Sequence, residues 1–167
     1  MSIYLIRHGK DEEGFRGGWS QRGLIPEGVE QSQQLGRYFK DQQKLFNIHK
    51  IVSSDLRRAL ETAKEIAQEL GLSIESSEKW RETNNGVLAG MPNEEVEKIY
   101  PGLYFSNLRM DECYPSGESP RAFLLRINDT FEHLYEDQCT NNQGRVVFFI
   151  WKSEWTFLLK GLNPNFM

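Results

Sequence analysis

The sequence has few cysteines and few histidines, and neither residue type is arranged as in a metal site. The two cysteines, Cys113 and Cys139, lie in polar surroundings and make a poor disulfide framework. We therefore expect both to be free thiols in a reducing compartment. The three histidines are scattered along the chain and form no HxxxH pair. A resident metal is not expected.

The sequence also lacks a long hydrophobic run and an excess of positive charge. No segment approaches the length of a membrane span, and the N-terminus has no secretory-signal pattern. The formal net charge of −4 argues against a general nucleic-acid-binding protein. We expect a cytoplasmic protein without a membrane or nucleic-acid partner. Its 167 residues, 38% of them hydrophobic, suffice for one domain over residues 1–167. No pattern indicates the oligomeric state.

Apolar periodicity predicts an alternation of strands and helices. Strands are expected at residues 3–6, 48–53, 72–75 and 145–150, and helices at 26–43, 55–70, 93–100 and 119–136. Pro26 suits a first helical position, Gly71 a helix end and Ser119 a helix cap. This order predicts an α/β fold, a three-layer sandwich with a mainly parallel central sheet and helices on both faces.

Positively charged side chains follow three of the predicted strands. The first strand is followed by Arg7 and His8, the second by Arg57 and Arg58, and the last by Lys152. Parallel strands end at the same edge of a sheet, so these side chains are expected to converge beside a helix N-terminus. The pattern indicates an anion site, and it leaves open whether one or both of Arg57 and Arg58 face solvent instead.

Five short segments with characteristic residues occur in order along residues 2–150. They are Arg7-His8-Gly9, Pro26-Glu27-Gly28 with Gln31 and Leu35-Gly36, the segment SDLRRALETA at 54–63, Arg81-Glu82 with Gly86 and Gly90, and Pro115-Ser116-Gly117-Glu118-Ser119 with Arg126. Together they resemble the histidine phosphatase superfamily, in its phosphoglycerate mutase-like branch. Five matches in sequence make coincidence a poor explanation.

The resemblance implies a site for phosphoryl transfer. His8 takes the position of the nucleophile and Glu82 that of the proton donor, while Arg7 and Arg58 take those of the phosphate-binding arginines. Arg58 is therefore expected in the pocket and Arg57 facing solvent. A neutral imidazole would attack a phosphomonoester and split hydrolysis into two steps through a phosphohistidine. The arginines would supply the positive charge through charge-assisted hydrogen bonds, so no metal or other cofactor is expected.

The segment after the last strand departs from the family pattern. The family carries a second histidine there, whereas this chain places Trp151 or Lys152 at that position, depending on a one-residue choice of alignment. Lys152 would keep a cation beside the phosphate, and Trp151 would remove it and crowd the pocket. Losing one such donor costs about a hundredfold or more in rate. We expect reduced activity, and an atypical or shortened C-terminus after about residue 150.

Two functions of different classes remain open from the sequence. One is a phosphatase acting on a small phosphorylated metabolite, and the other is a catalytically impaired protein that binds phosphate or a phosphometabolite on the same fold. A phosphoglycerate mutase-type phosphotransferase is less favoured, because residues 92–113 are short for a lid that would protect a phosphoenzyme from water.

No motif identifies the substrate. Specificity is expected to come from the loops at 14–23 and 102–116. Trp19, Tyr104 and Phe105 either line the mouth of the site or serve packing. The acidic residues 11–13 are interpreted as a solvated face.

Overall fold

The computed structural model describes residues 2–141 and 145–150, and the side chains of residues 3–136. In chain order the elements are β1 (Ser2–Arg7), α1 (Pro26–Asp41), α2 (Gln43–Phe46), β2 (Ile48–Ser54), α3 (Arg57–Leu70), β3 (Ile74–Ser77), α4 (Asn93–Ile99), α5 (Pro120–Asn141) and β4 (Arg145–Ile150). Short 3₁₀ turns occur at Glu78–Trp80, Gly86–Leu88 and Phe105–Asn107. Among the described elements, no helix is both long and apolar enough to cross a membrane.

The described strands form one parallel sheet in the order β1-β4-β2-β3. Parallel neighbours cannot be joined by a tight hairpin, and helices supply the crossovers. β4, the last of the described strands, lies between β1 and β2. The carboxyl ends of β1, β4 and β2 are therefore adjacent, which is the place where open α/β sheets hold their ligands.

Helices cover both faces of the sheet, because consecutive strand residues point to opposite sides. On one face, Ile51 packs with Ile6 and with the apolar stripe of α3 that includes Ala63 and Ile66. On the other face, the neighbouring Val52 packs with Phe123, Ile127 and Leu134 of α5. This confirms the predicted three-layer α/β fold. A third, smaller cluster of Leu88, Val96 and Tyr114 lies among the loops and α4.

Several element ends differ from the prediction. The third helix begins at Arg57 rather than residue 55, because Leu56 is extended and its N–H donates to Ser54 Oγ. β3 begins two residues later than expected, in register with the second half of β2. The predicted caps are confirmed: Gly71 ends α3 at a φ of 66°, and Ser119 Oγ accepts the N–H of Ala122.

Candidate active site

His8 lies directly after β1, with its ring buried at the carboxyl edge of the sheet. Its Nδ1 donates to the carbonyl oxygen of Gly9 at 2.8 Å. That hydrogen bond assigns the proton to Nδ1 and leaves the lone pair on Nε2. The N–H of Gly9 donates to Thr62 Oγ1 of α3 at 3.0 Å. The imidazole is therefore held from the strand and from the helix, with Nε2 free of a proton.

The glycine after His8 is required by a close approach of two backbone segments. A Cβ on Gly9 would lie 2.3 Å from the carbonyl oxygen of Gly28 in α1. A Cβ on Gly28 would in turn lie 2.0 Å from the carbonyl oxygen of Lys10. Side chains at either position would push the start of α1 away from His8. The first two of the five characteristic segments thus form the two sides of one packing contact.

Arg58 is the central cation of the site and is only 1% exposed. Its Nε donates to His8 Nε2 at 3.3 Å, and its Nη2 donates to Glu82 Oε2 at 2.6 Å. Further bonds run from Nη1 to the carbonyl of Ser20 and from Nη2 to that of Gly18. The Nε–Nη2 edge, which suits bidentate anion binding, therefore faces both His8 and Glu82.

Arg57 points the other way, as the sequence predicts. Its side chain is 65% exposed and its Nε pairs with Glu61 of the same helix at 2.7 Å. Two adjacent arginines thus occupy opposite environments, and only Arg58 enters the pocket.

Glu82 is held by its backbone as well as by its carboxylate. Its carbonyl oxygen accepts from Trp19 Nε1 at 2.7 Å and from Arg126 Nη2 at 3.3 Å. Arg126 also donates to the carbonyl oxygens of Lys79 and Arg81 and pairs with Glu118 Oε1 at 2.6 Å. The segment that carries Glu82 is therefore fastened to α5. Trp19 and Arg126 act as positioning residues for Glu82.

Burial shifts the two titratable groups beside Arg58 in opposite directions. The pKa of the His8 imidazole is lowered, chiefly because burial disfavours the imidazolium, and Arg58 and Arg7 lower it further. The pKa of the Glu82 carboxyl is raised, because burial disfavours the carboxylate more than Arg58 favours it. Both shifts act toward a neutral imidazole and a protonated carboxyl, the forms in which such groups can serve as a nucleophile and an acid.

A cavity of about 560 Å³ opens over these groups. Arg7 borders it with an exposed side chain, and Lys10 and Gln31 form part of its wall. Asp11 also borders it and lies 3.9 Å from Arg58 Nε. The interpretation of residues 11–13 as a solvated face is wrong for Asp11, whose side chain is only 28% exposed. The loop turns back over Arg58 and brings this carboxylate inward.

The contacts of three further residues of the site could not be derived from the sequence, although Thr62 and Glu118 stand in two of the five segments and Trp19 is expected either at the mouth of the site or in packing. Thr62 supports Gly9, Trp19 supports Glu82, and Glu118 accepts the N–H of Asn84 at 2.7 Å. These contacts join segments far apart in the chain, so local patterns do not reveal them. The predicted roles of Lys152 and Trp151, and the form of the C-terminus, lie outside the described residues. Within the described part, Cys113 is a free, exposed thiol, and no group of three or more potential metal ligands occurs.

Comparison with known proteins places this geometry in a family. Residues 3–150 match the model of the histidine phosphatase superfamily (branch 1). The chain is 32% identical over 139 residues to human 6-phosphofructo-2-kinase/fructose-2,6-bisphosphatase 4, covering 80% of this chain and 28% of that protein. It is 31% identical over 150 residues to phosphoglycerate mutase-like protein 4 of Arabidopsis thaliana, covering 86% of this chain and 59% of that protein.

The fold agrees with the sequence matches. The alpha-ribazole phosphatase from Shigella flexneri superposes with a TM-score of 0.82 at 21% identity, covering 98% of this chain and 80% of that one. The chain spans less than two thirds of the length of both curated relatives. With the family model matched over most of its length and His8, Arg58 and Glu82 gathered at one sheet edge, the chain belongs to the histidine phosphatase superfamily, branch 1.

Proposed function

We propose that the protein is a phosphomonoester hydrolase that acts through a phosphohistidine at His8. The observation that carries the proposal is the arrangement on one guanidinium edge: Arg58 contacts the Nε2 of His8 through Nε and the carboxyl of Glu82 through Nη2. A phosphate bound to that edge lies between a nucleophile and an acid. Arg7, on the wall of the same cavity, adds positive charge for the remaining phosphate oxygens, whereas Lys10 on that wall is paired with Glu27 at 2.8 Å.

In the first step, the lone pair of His8 Nε2 forms a bond to phosphorus. The bond from phosphorus to the ester oxygen breaks, and its electron pair stays on that oxygen, which takes the proton of Glu82. His8 exchanges its weak hydrogen bond from Arg58 for the new N–P bond, while Arg58 donates to the phosphoryl oxygens. The hydrogen bond from Nδ1 to Gly9 keeps the ring oriented and supports the positive charge that it acquires.

In the second step, water attacks phosphorus and gives a proton to the Glu82 carboxylate. The N–P bond breaks, and its electron pair returns to Nε2. Inorganic phosphate leaves, with His8 neutral and Glu82 protonated again. Both steps use one acid–base group in alternate directions, and the buried position of Glu82 keeps its protonated form available at the start of each cycle.

The proposal is tested with phenyl phosphate and a pair of histidine variants. We expect turnover to fall by about 10⁴-fold or more in His8→Asn, because the nucleophile is removed. His49→Asn, at an exposed position on β2, is the matched control and retains turnover. Rapid quenching should trap an acid-labile phosphoenzyme in the unmodified protein and in His49→Asn only. Equal background turnover in the unmodified protein and His8→Asn would contradict hydrolysis by this site.

A second candidate function is a phosphate-binding protein that turns over slowly or not at all. It is favoured by one feature of the sequence, the segment Trp151-Lys152-Ser153 where the family carries its second histidine. This function predicts saturable binding of inorganic phosphate that is lost in Arg58→Ala, without phosphoenzyme formation. Trapping of a phosphoenzyme at His8 decides in favour of the hydrolase.

A further inference from the structure

Asp11 brings a negative charge into the pocket that is proposed to bind phosphate. Its side chain is only 28% exposed, and its Oδ2 lies 3.9 Å from Arg58 Nε. Within the described residues, this carboxylate makes that single ion pair and no hydrogen bond. Like charges at close range repel, so a carboxylate in an anion pocket opposes the binding that the pocket otherwise favours. Neither step of the proposed reaction uses Asp11, and its position therefore indicates a separate role.

The backbone at Asp11 is fixed by its neighbours, so the position of its carboxylate is built into the fold. Asp11 forms an antiparallel bridge with Leu24. The preceding residue, Lys10, donates its N–H to Gln31 Oε1 at 3.0 Å and accepts the N–H of Ile25 at 3.1 Å. These contacts hold the start of the loop against α1 and the segment before it. Rotation about its side-chain bonds can move the carboxylate without opening the loop.

The nitrogen of Arg58 that lies beside Asp11 is also the one with the longest hydrogen bond. Arg58 Nη2 already donates to Gly18 and Glu82, at 2.9 and 2.6 Å. Its Nε makes only the 3.3 Å contact with His8, so an incoming phosphate gains most at Nε. A phosphate oxygen bonded there would lie about 2.8 Å from Nε, next to the Asp11 carboxylate. Either the carboxylate turns away, or phosphate binds against its charge.

We propose that Asp11 acts as an internal competitor of phosphate: its carboxylate beside Arg58 Nε weakens the binding of inorganic phosphate and so speeds release of the product. The inference rests on the phosphate pocket of the proposed function, but it does not require hydrolysis. A hydrolase that recognises its substrate by the phosphoryl group keeps that group as its product, and product release limits the turnover of many enzymes. A carboxylate that returns to Arg58 lowers the affinity for the product.

The experiment measures the dissociation constants of inorganic phosphate and orthovanadate by calorimetry. Asp11→Asn keeps the shape of the side chain and removes its charge, so we expect both ligands to bind about tenfold more tightly. Asp11→Ala, with a different shape, should also tighten binding, and Asp11→Glu, which keeps the charge, should not. Glu30→Gln, at an exposed position of α1 outside the cavity, is the control for net charge and should leave both constants unchanged.

A second measurement separates the charge of Asp11 from a purely structural role. That charge raises the pKa of both His8 and Glu82, because it favours the imidazolium and disfavours a second carboxylate. Arg58 lowers both pKa values and Arg7 lowers that of His8, and these arginines stay in place. In Asp11→Asn both pKa values should therefore fall, which for His8 is read from its NMR titration without turnover. The other charged groups on the cavity wall are also unchanged in this variant: Lys10, Glu12 and Glu13.

Binding and turnover together separate this inference from the proposed function. Unchanged or weaker phosphate binding in Asp11→Asn overturns the inference, and turnover of phenyl phosphate then leaves the hydrolase standing. Equal tightening in Glu30→Gln also overturns it, because the effect would come from net charge. Tighter binding in the Asp11 variants alone, without turnover or a phosphoenzyme in the unmodified protein, supports the internal competitor and contradicts the hydrolase. Absence of both phosphate binding and turnover in every variant contradicts both proposals.

Discussion

A second cavity of about 170 Å³, lined in part by Thr83 and Leu103, meets the phosphate pocket at Glu82, and a buried threonine beside each cavity shows how differently the two are built. Thr62, beside the phosphate pocket, accepts the N–H of Gly9 and donates to the carbonyl of Arg58. Thr83, in the second cavity, is equally buried but its hydroxyl has no partner within the described residues. The phosphate pocket is preorganised by the protein itself. The Thr83 hydroxyl is shielded from water and from the second cavity alike, so this side chain is held by packing and not by hydrogen bonds.

After loss of the His8 nucleophile, the largest effect is expected from replacing the cation that organises the phosphate pocket. In Arg58→Lys, a single ammonium cannot reach His8, Glu82 and the two loop carbonyls together, and the planar edge for phosphate is lost. We expect kcat/KM for phenyl phosphate to fall about 10²–10³-fold. Arg57→Lys is the matched control and should stay within about twofold, since its exposed pair with Glu61 contributes little. Similar losses in both variants would contradict the assignment of the pocket to Arg58.

The different environments of Arg57 and Arg58 were expected from the sequence, but other features of the site were not. His8, Arg58 and Glu82 were expected together, because strand ends converge at one edge and ordered segments resemble a family. Asp11 was misinterpreted, since a run of acidic residues gives no sign that a loop folds inward. Thr62 and Arg126 could not be assigned, because their partners lie 53 and 44 residues away in the chain.

The same difference applies to the fold: apolar periodicity predicts some of its elements, whereas others depend on residues far apart in the chain. The apolar stripe of α3 and the run in β1 determine which faces are buried, and both elements were predicted. The predicted position of β3 was wrong by two residues, because a short strand takes its register from its neighbour. The second cavity combines residues from loops and a 3₁₀ turn, for which no periodicity exists. It could be found only in three dimensions.

A smaller effect with a distinct pH signature is expected from Glu82→Gln. The catalytic form needs neutral His8 and protonated Glu82. The ordinary pKa values of 6.5 and 4.5 give these forms little overlap, but burial lowers the first and raises the second. We expect a bell-shaped pH profile of kcat/KM. The midpoint of its acid limb, set by His8, should lie below pH 6.5, and the midpoint of its alkaline limb, set by Glu82, should lie above pH 4.5.

In Glu82→Gln the alkaline limb should disappear and kcat for phenyl phosphate should fall about 10²-fold. The loss should be smaller for 4-nitrophenyl phosphate, because its leaving oxygen needs less help from a proton. Glu78→Gln, at an exposed carboxylate nearby, should keep both limbs. An alkaline limb that persists in Glu82→Gln assigns the acid to another group.

The smallest effects test the two threonines directly, through the free energy of unfolding in urea. Thr62→Val leaves the Gly9 N–H buried without an acceptor, so we expect a loss of about 1–3 kcal/mol. Thr83→Val replaces a hydroxyl that makes no bond with a methyl group of the same shape, so stability should stay the same or rise slightly. If Thr83→Val loses as much stability as Thr62→Val, the Thr83 hydroxyl already has a partner in the protein. The contrast between a hydrogen-bonded threonine and one held only by packing would then not hold.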